Sequence, residues 1–236
     1  MIGNFFDEKT QTLTIILMSF PCKWNKCSHC YFHEESSTDK NSIIFKNSEI
    51  LDEASEILER YNPMNIKIFN GGSFFELPTE LYHIIERIVD KKTLSIETRP
   101  EMITIPEIEK LEKQLNPKIF NIFIGFDSFN DGIRNNILKK GIPQSEIYRI
   151  SSLKIPNVYF YSYVIFGIEG IKESSIIESV RQFNSFFSGV TAIEFRKHKG
   201  LKLKQKLTSN KLKDWLKLNC LSVDFISEKD DQWEII

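Results

Sequence analysis

The stretch Leu13-Thr-Ile-Ile-Leu-Met-Ser-Phe-Pro-Cys-Lys-Trp-Asn-Lys-Cys-Ser-His-Cys-Tyr-Phe32 runs from an apolar β-type segment directly into three clustered cysteines. Cys22, Cys27 and Cys30 have the spacing C-x4-C-x2-C. Three thiolates on one loop can hold three irons of a [4Fe–4S] cluster and leave the fourth iron open to another ligand. Four protein cysteines make an electron carrier, whereas three leave a place for chemistry. A structural zinc site, with His29 or His33 as fourth ligand, is the alternative reading of the same loop.

Working outward, further short apolar runs rich in Ile, Val, Phe and Tyr lie at 66–70, 94–97, 119–126, 158–166 and 192–196. Each reads as a buried parallel strand. Helical patterns fall between them, at 47–61, 78–90, 106–115, 130–138 and 172–187, several with Pro or a polar residue in the first turn. Strands alternating with helices predict an α/β fold, a partial (β/α)6 TIM-like barrel. Residues 1–200 are expected to form the barrel, and 201–236 a C-terminal extension packed on it, with a helix over 210–218.

In such a barrel the C-terminal strand ends share one mouth, where the chemistry sits. The polar and glycine signals fall at those ends: the cysteines, Asn70-Gly-Gly-Ser73, Glu97-Thr-Arg-Pro-Glu101, Gly125-Phe-Asp-Ser128 and Gly167-Ile-Glu-Gly170. Gly71 and Gly72 let the backbone approach a ligand, or simply turn the chain. Glu97 can accept from hydroxyls or an amine, and Arg99 can pair a ligand carboxylate; the two can equally pair with each other. Asp127 can read the N–H edge of a guanine-like base or cap the next helix.

The chain has 236 residues, 41 % of them hydrophobic and 27 % charged, which suits an ordinary buried core. The formal net charge of −1 argues against a protein that grips nucleic acid by itself. The run Arg196-Lys-His-Lys199 with Lys202, Lys204 and Lys206 can contact phosphates, or be a solvated loop balanced by the acidic stretch 228–231. Tyr159, Tyr161 and Tyr163 share one face of their strand, so Tyr161 can reach a substrate near the mouth. Four cysteines, three of them clustered, form no disulfide framework, and Cys220 reads as a small buried apolar residue. No secretory leader or membrane span is expected, which makes the protein cytoplasmic.

The cysteine loop, ending in Cys30-Tyr31, resembles that of the radical S-adenosylmethionine (radical SAM) enzymes, most of which place three residues between the first two cysteines where this chain has four. With Gly-Gly-Ser-Phe, Glu-Thr-Arg-Pro-Glu, Asn130-Asp-Gly-Ile-Arg134 and Leu138-Lys-Lys-Gly141, the stretch from Cys22 to about Gly170 is similar to the elongator-type branch and its archaeosine-forming, RaSEA-like members. The resemblance implies two cofactors: a [4Fe–4S] cluster on Cys22, Cys27 and Cys30, and S-adenosylmethionine, cleaved to a 5′-deoxyadenosyl radical. It implies Tyr31, Asn70, Gly71, Gly72, Ser73, Glu97, Arg99 and Phe166 around S-adenosylmethionine, with Ser73 in place of the family's usual acid. Phe20, Asp127, Tyr161 and Arg196 are then the substrate candidates, Asp127 standing where the branch usually has Glu.

In size and character the chain is also similar to the short queuine lyases of gut clostridia. That likeness implies a small 7-deazaguanine substrate, cleavage of the carbon–nitrogen bond of queuine, and an external electron donor such as flavodoxin or ferredoxin, with neither membrane nor stable nucleic-acid partner. The alternatives are a radical SAM enzyme that modifies tRNA or protein with a partner subunit, and a non-enzymatic zinc-binding module.

Overall fold

The structure, a computed structural model, describes residues 2–226 and 233–235, without the side chains of 33, 34 and 233–235. The acidic stretch 228–231 and the His33 side chain therefore lie outside the described residues. The fold is α/β, as expected. Six strand–helix units follow one another: β2 (Thr12–Ile16) and α1 (Lys40–Tyr61), β3 (Asn65–Phe69) and α2 (Tyr82–Val89), β4 (Thr93–Thr98) and α3 (Ile105–Leu115), β5 (Ile119–Asp127) and α4 (Gln144–Ser151), β6 (Val158–Phe166) and α5 (Glu173–Phe186), β7 (Val190–Glu194) and α6 (Asn210–Asn219). This is the connectivity of a partial (β/α)6 barrel. Three strands had no signal in the sequence: β1 (Gly3–Asp7), antiparallel to β2, β8 (Ser222–Ile226), parallel to β7, and β9 (Trp233–Ile235), antiparallel to β8. The strands are ordered β1 to β9 in the sheet.

The chain divides into two compact units. The first comprises Met1–Asn25, Phe32–Phe123 and Leu153–Tyr159. Its register stacks Leu13 on Ile66 on Leu94, and Ile15 on Ile68 on Ile96, all with no exposed surface. A one-residue slip would turn these rows to the opposite face, so burial fixes the pairing. Helix α1 begins seven residues before the periodic pattern that predicts it, because Asp39 caps it by accepting from the N–H groups of Asn41 and Ser42. Its buried Asn47 exchanges two 2.8 Å hydrogen bonds with the backbone of Met18, just past β2. A bridge between Ser19 and Ser36 closes the base of the cysteine loop. The chain is thus held firmly where that loop departs.

The second unit comprises Lys26–Tyr31, Ile124–Ser152 and Phe160–Ile236. Val164, Ala192 and Val223 form its buried row across β6, β7 and β8. Phe126, the last apolar residue of β5, stacks against Phe183 and Phe187 at 5.7 and 5.6 Å. That aromatic seat fixes the end of β5, where Asp127 follows with φ 63°. The predicted helix over 130–138 is a short π-helix, Gly132–Ile137. The expected helix near 210–218 is α6. Helix α4, which the sequence reading left out, starts after Pro143. Among the described residues no helix is long and apolar enough to cross a membrane.

Candidate active site

In the first unit the candidates gather around the loop after β3. Gly71 has φ 65°, and a Cβ there would meet the Phe32 side chain at 3.0 Å, so glycine is required. Its N–H donates to Glu97 Oε1 at 3.2 Å, which ties this loop to the end of β4. Asn70 donates from Nδ2 to the Ser73 carbonyl at 3.0 Å, while its Oδ1 is buried with no hydrogen-bond partner. Ser73 is buried and its hydroxyl shares a 2.6 Å hydrogen bond with Thr98, so its side chain is committed to the scaffold. The acid absent at Ser73 reaches this loop from Glu76. Its Oε2 lies 3.7 Å from where a Gly72 Cβ would stand, and its Oε1 lies 3.9 Å from Lys23 Nζ. Burial raises the Glu76 pKa despite that lysine.

Arg99 pairs with Glu101, and its guanidinium lies 5.3 Å from the centre of the Trp24 ring. Cys22 and Phe20 are both half-buried, and Cys22 forms no disulfide. Asn25 takes φ 38°, a left-handed turn that asparagine tolerates, and so turns the four-residue spacer between the first two cysteines.

In the second unit Cys27 and Cys30 are half-buried and form no disulfide, and the Cys30 N–H donates to the Cys27 carbonyl at 3.4 Å. Between them His29 places Nε2 3.1 Å from Asp127 Oδ2, and its Nδ1 is buried with no hydrogen-bond partner. Lys140 Nζ reaches the same Oδ2 at 2.6 Å. Burial pushes the Asp127 carboxyl up, but the Lys140 ammonium and His29 outweigh it and hold it well below the usual carboxylate range. Asp127 is therefore an ionised, buried carboxylate. At the start of the π-helix it is Asn130 Oδ1, not Asp127, that accepts a backbone hydrogen bond, from the Ile133 N–H at 3.0 Å. Gly125 keeps the space before this pair open, since a Cβ there would meet Lys140 Nζ at 3.1 Å and lie 3.9 Å from Asp127 Oδ1.

The other candidates of the second unit divide. Arg196 follows β7 and is half-buried. Phe166 is fully buried with its ring 5.9 Å from Phe225, so only its backbone can face a ligand. Tyr31 stacks on His198 with ring centres 3.4 Å apart. Tyr161 lies beside Gly189, where β7 begins. It is the fourth residue of β6, five positions before Phe166 at the strand's end. Lys204 of the basic run pairs with Glu169 at 3.5 Å. Cys220 ends α6, and burial pushes its thiol up to about 12, which suits a packing role. Motif reading passed over Glu76, took His29 only as an alternative zinc ligand, and gave Lys140 no role beyond its place in Leu138-Lys-Lys-Gly141.

The residues fit the implied cofactors. Three half-buried cysteines in one C-x4-C-x2-C run, none of them in a disulfide, have the chemistry of the donor set of a cluster with an open iron. The orphaned Asn70 Oδ1 beside two glycines is an acceptor suited to an ammonium group. Among the described residues, no three His, Cys, Asp or Glu side chains are grouped to hold a single metal ion.

The chain is 29 % identical over 198 residues to an uncharacterized protein of Methanocaldococcus jannaschii, covering 78 % of this chain and 53 % of that protein. It is 27 % identical over 143 residues to archaeosine synthase subunit beta of Methanosarcina acetivorans, covering 56 % of this chain and 41 % of that one. The chain thus spans about half the length of these relatives. A solved structure, queuine lyase from Clostridium spiroforme bound to SAM and queuine, superposes with a TM-score of 0.69 at 26 % identity, covering 91 % of this chain and 86 % of that chain. Residues 18–183, most of the chain, match the Radical SAM superfamily. The chain belongs to that superfamily, and is a radical SAM enzyme whose cofactors are a [4Fe–4S] cluster and S-adenosylmethionine.

Proposed function

We propose that this enzyme is a queuine lyase, cleaving the carbon–nitrogen bond between the cyclopentenediol and the aminomethyl-deazaguanine of queuine. The observation that carries this reading is the extent of one likeness. The match to the Clostridium spiroforme enzyme takes in 91 % of this chain and 86 % of that one, whereas the match to the Methanosarcina acetivorans protein takes in 41 % of the relative. The residues are consistent with it. In this proposal Cys22, Cys27 and Cys30 hold the cluster. Asn70, Gly71, Gly72, Glu97 and Arg99 bind S-adenosylmethionine, with backbone groups of Ser73 and Phe166 and the ring of Tyr31. When bound, these groups supply a 5′-deoxyadenosyl radical that abstracts a substrate hydrogen.

Asp127 reads the base. A 7-deazaguanine offers adjacent N–H donors along one edge, and a buried ionised carboxylate is the natural acceptor for them. His29 and Lys140 both sit on Asp127 Oδ2, and Oδ1 borders the space that Gly125 leaves open. Phe20 and Arg196 complete the substrate set. A flavodoxin or ferredoxin supplies the electron.

The archaeosine synthase relatives favour a second reading, in which the chain modifies tRNA with a partner subunit. One experiment separates the two. The reduced, reconstituted protein is given queuine base or queuosine-bearing tRNA, each with S-adenosylmethionine. The lyase reading expects 5′-deoxyadenosine and aminomethyl-deazaguanine from the free base. Turnover of the tRNA alone overturns it.

A further inference from the structure

Ser28 stands between two of the cysteines and is bound to a segment 109 residues away. Its hydroxyl donates to the Ile137 carbonyl at 2.6 Å, and its N–H donates to the Leu138 carbonyl at 3.0 Å. Ile137 ends the π-helix and Leu138 follows it. The last carbonyls of any helix lack donors within it and carry partial negative charge, so they seek outside partners. Here Ser28 provides two. The neighbouring His29 adds a third tie, to Asp127 at 3.1 Å.

What Ser28 holds on to is itself braced. Arg134, inside the π-helix, has no exposed surface. Its Nε donates to the Ile142 carbonyl at 2.8 Å, Nη1 to the carbonyls of Ser128 and Phe129 at 3.0 and 3.1 Å, and Nη2 to Asp131 and Gln144 at 2.7 and 2.9 Å. Every guanidinium N–H is used, the condition for burying such a group without a large penalty. Asn135 exchanges hydrogen bonds with the backbone of Ile142 at 2.9 and 3.0 Å, and the Lys140 N–H donates to the Arg134 carbonyl at 3.0 Å. One guanidinium thus cross-links the segment from Ser128 to Gln144, and with it the backbone that presents Lys140. A π-turn is an uncommon helix geometry that recurs at functional sites.

We propose that Ser28 is a positioning residue for the iron–sulfur cluster, fixing the turn that carries Cys27 and Cys30 onto the end of the Arg134-braced π-helix. This rests on the assignment of Cys27 and Cys30 as cluster ligands. In this proposal Ser28 acts through the peptide and not as a ligand. It sets the direction of two thiolates by holding the peptide between them, as outer partners of metal ligands do elsewhere.

The test uses the full chain, anaerobically reconstituted, as wild type, S28A and S28T. S28A removes the hydroxyl and keeps the backbone bond; S28T keeps both. S28A is expected to lose iron to a chelator about 10- to 100-fold faster than wild type, the range typical of such outer partners. The electron paramagnetic resonance spectrum of its reduced cluster is expected to shift, with the thermal midpoint nearly unchanged. S28T is expected to restore both. Wild-type iron retention and spectrum in S28A overturn the proposal and leave the cluster assignment standing. A wild-type protein that takes up no four-iron cluster overturns the ligand assignment and this inference with it.

Discussion

Lys140 Nζ lies 2.6 Å from Asp127 Oδ2, with both side chains 9 % exposed. A pair removed this far from water contributes little as a pair, but losing one partner strands the other. Asp127→Asn or Lys140→Met is therefore expected to cost about 3–5 kcal/mol in urea unfolding, and the double variant Asp127→Asn/Lys140→Met, which removes both charges and keeps a residue that tolerates φ 63°, to recover most of it. Equal losses in single and double variants would contradict the pairing.

The same pair sets a pH dependence. The folded carboxyl of Asp127 titrates well below its unfolded value because Lys140 and His29 outweigh burial. Its contribution is thus fully present above the unfolded pKa of about 3.9 and is lost as pH falls through the folded one. The stability gap between wild type and Asp127→Asn is expected to be flat from about pH 7 to about pH 5 and to shrink below about pH 4. A gap that widens on acidification contradicts this sign.

Much of the frame was legible in the sequence. Ile15, Ile68 and Ile96 sit in short apolar runs bounded by turn residues, and all three runs became strands. β1 was not legible because Gly3–Asp7 is half polar and lies at the sheet edge, where one face meets water. α4 escaped because Pro143 and Gln144 open it without a capping side chain. At the site, cysteine spacing and paired glycines were visible because backbone and metal requirements restrict residue type. Lys140 and Glu76 were not, since a lysine or glutamate in a loop reads as solvated until burial is known. Alternation gives the face that Tyr161 shares with Tyr159 and Tyr163 but not its height along the strand, which the structure puts at the fourth residue of β6.

The glycine loop gives a contrast. Gly71→Ala forces a left-handed residue against Phe32 and is expected to destabilise the fold by about 1–2 kcal/mol. Gly72→Ala meets no atom closer than 3.7 Å and is expected to change stability by less than about 0.5 kcal/mol. If backbone at Gly72 lies against S-adenosylmethionine, that same variant loses about tenfold in affinity for it by calorimetry, about 1.4 kcal/mol. Unchanged affinity in Gly72→Ala removes this loop from the cofactor site.

The site rests on three cysteines, the first two of which have four residues between them, not three. Mössbauer spectroscopy of anaerobically reconstituted protein, before and after adding S-adenosylmethionine, tests it most directly. The account predicts a cubane cluster in which one iron of the four changes its signal on adding the ligand. A protein holding zinc in place of iron, or a cluster whose irons all ignore S-adenosylmethionine, contradicts it.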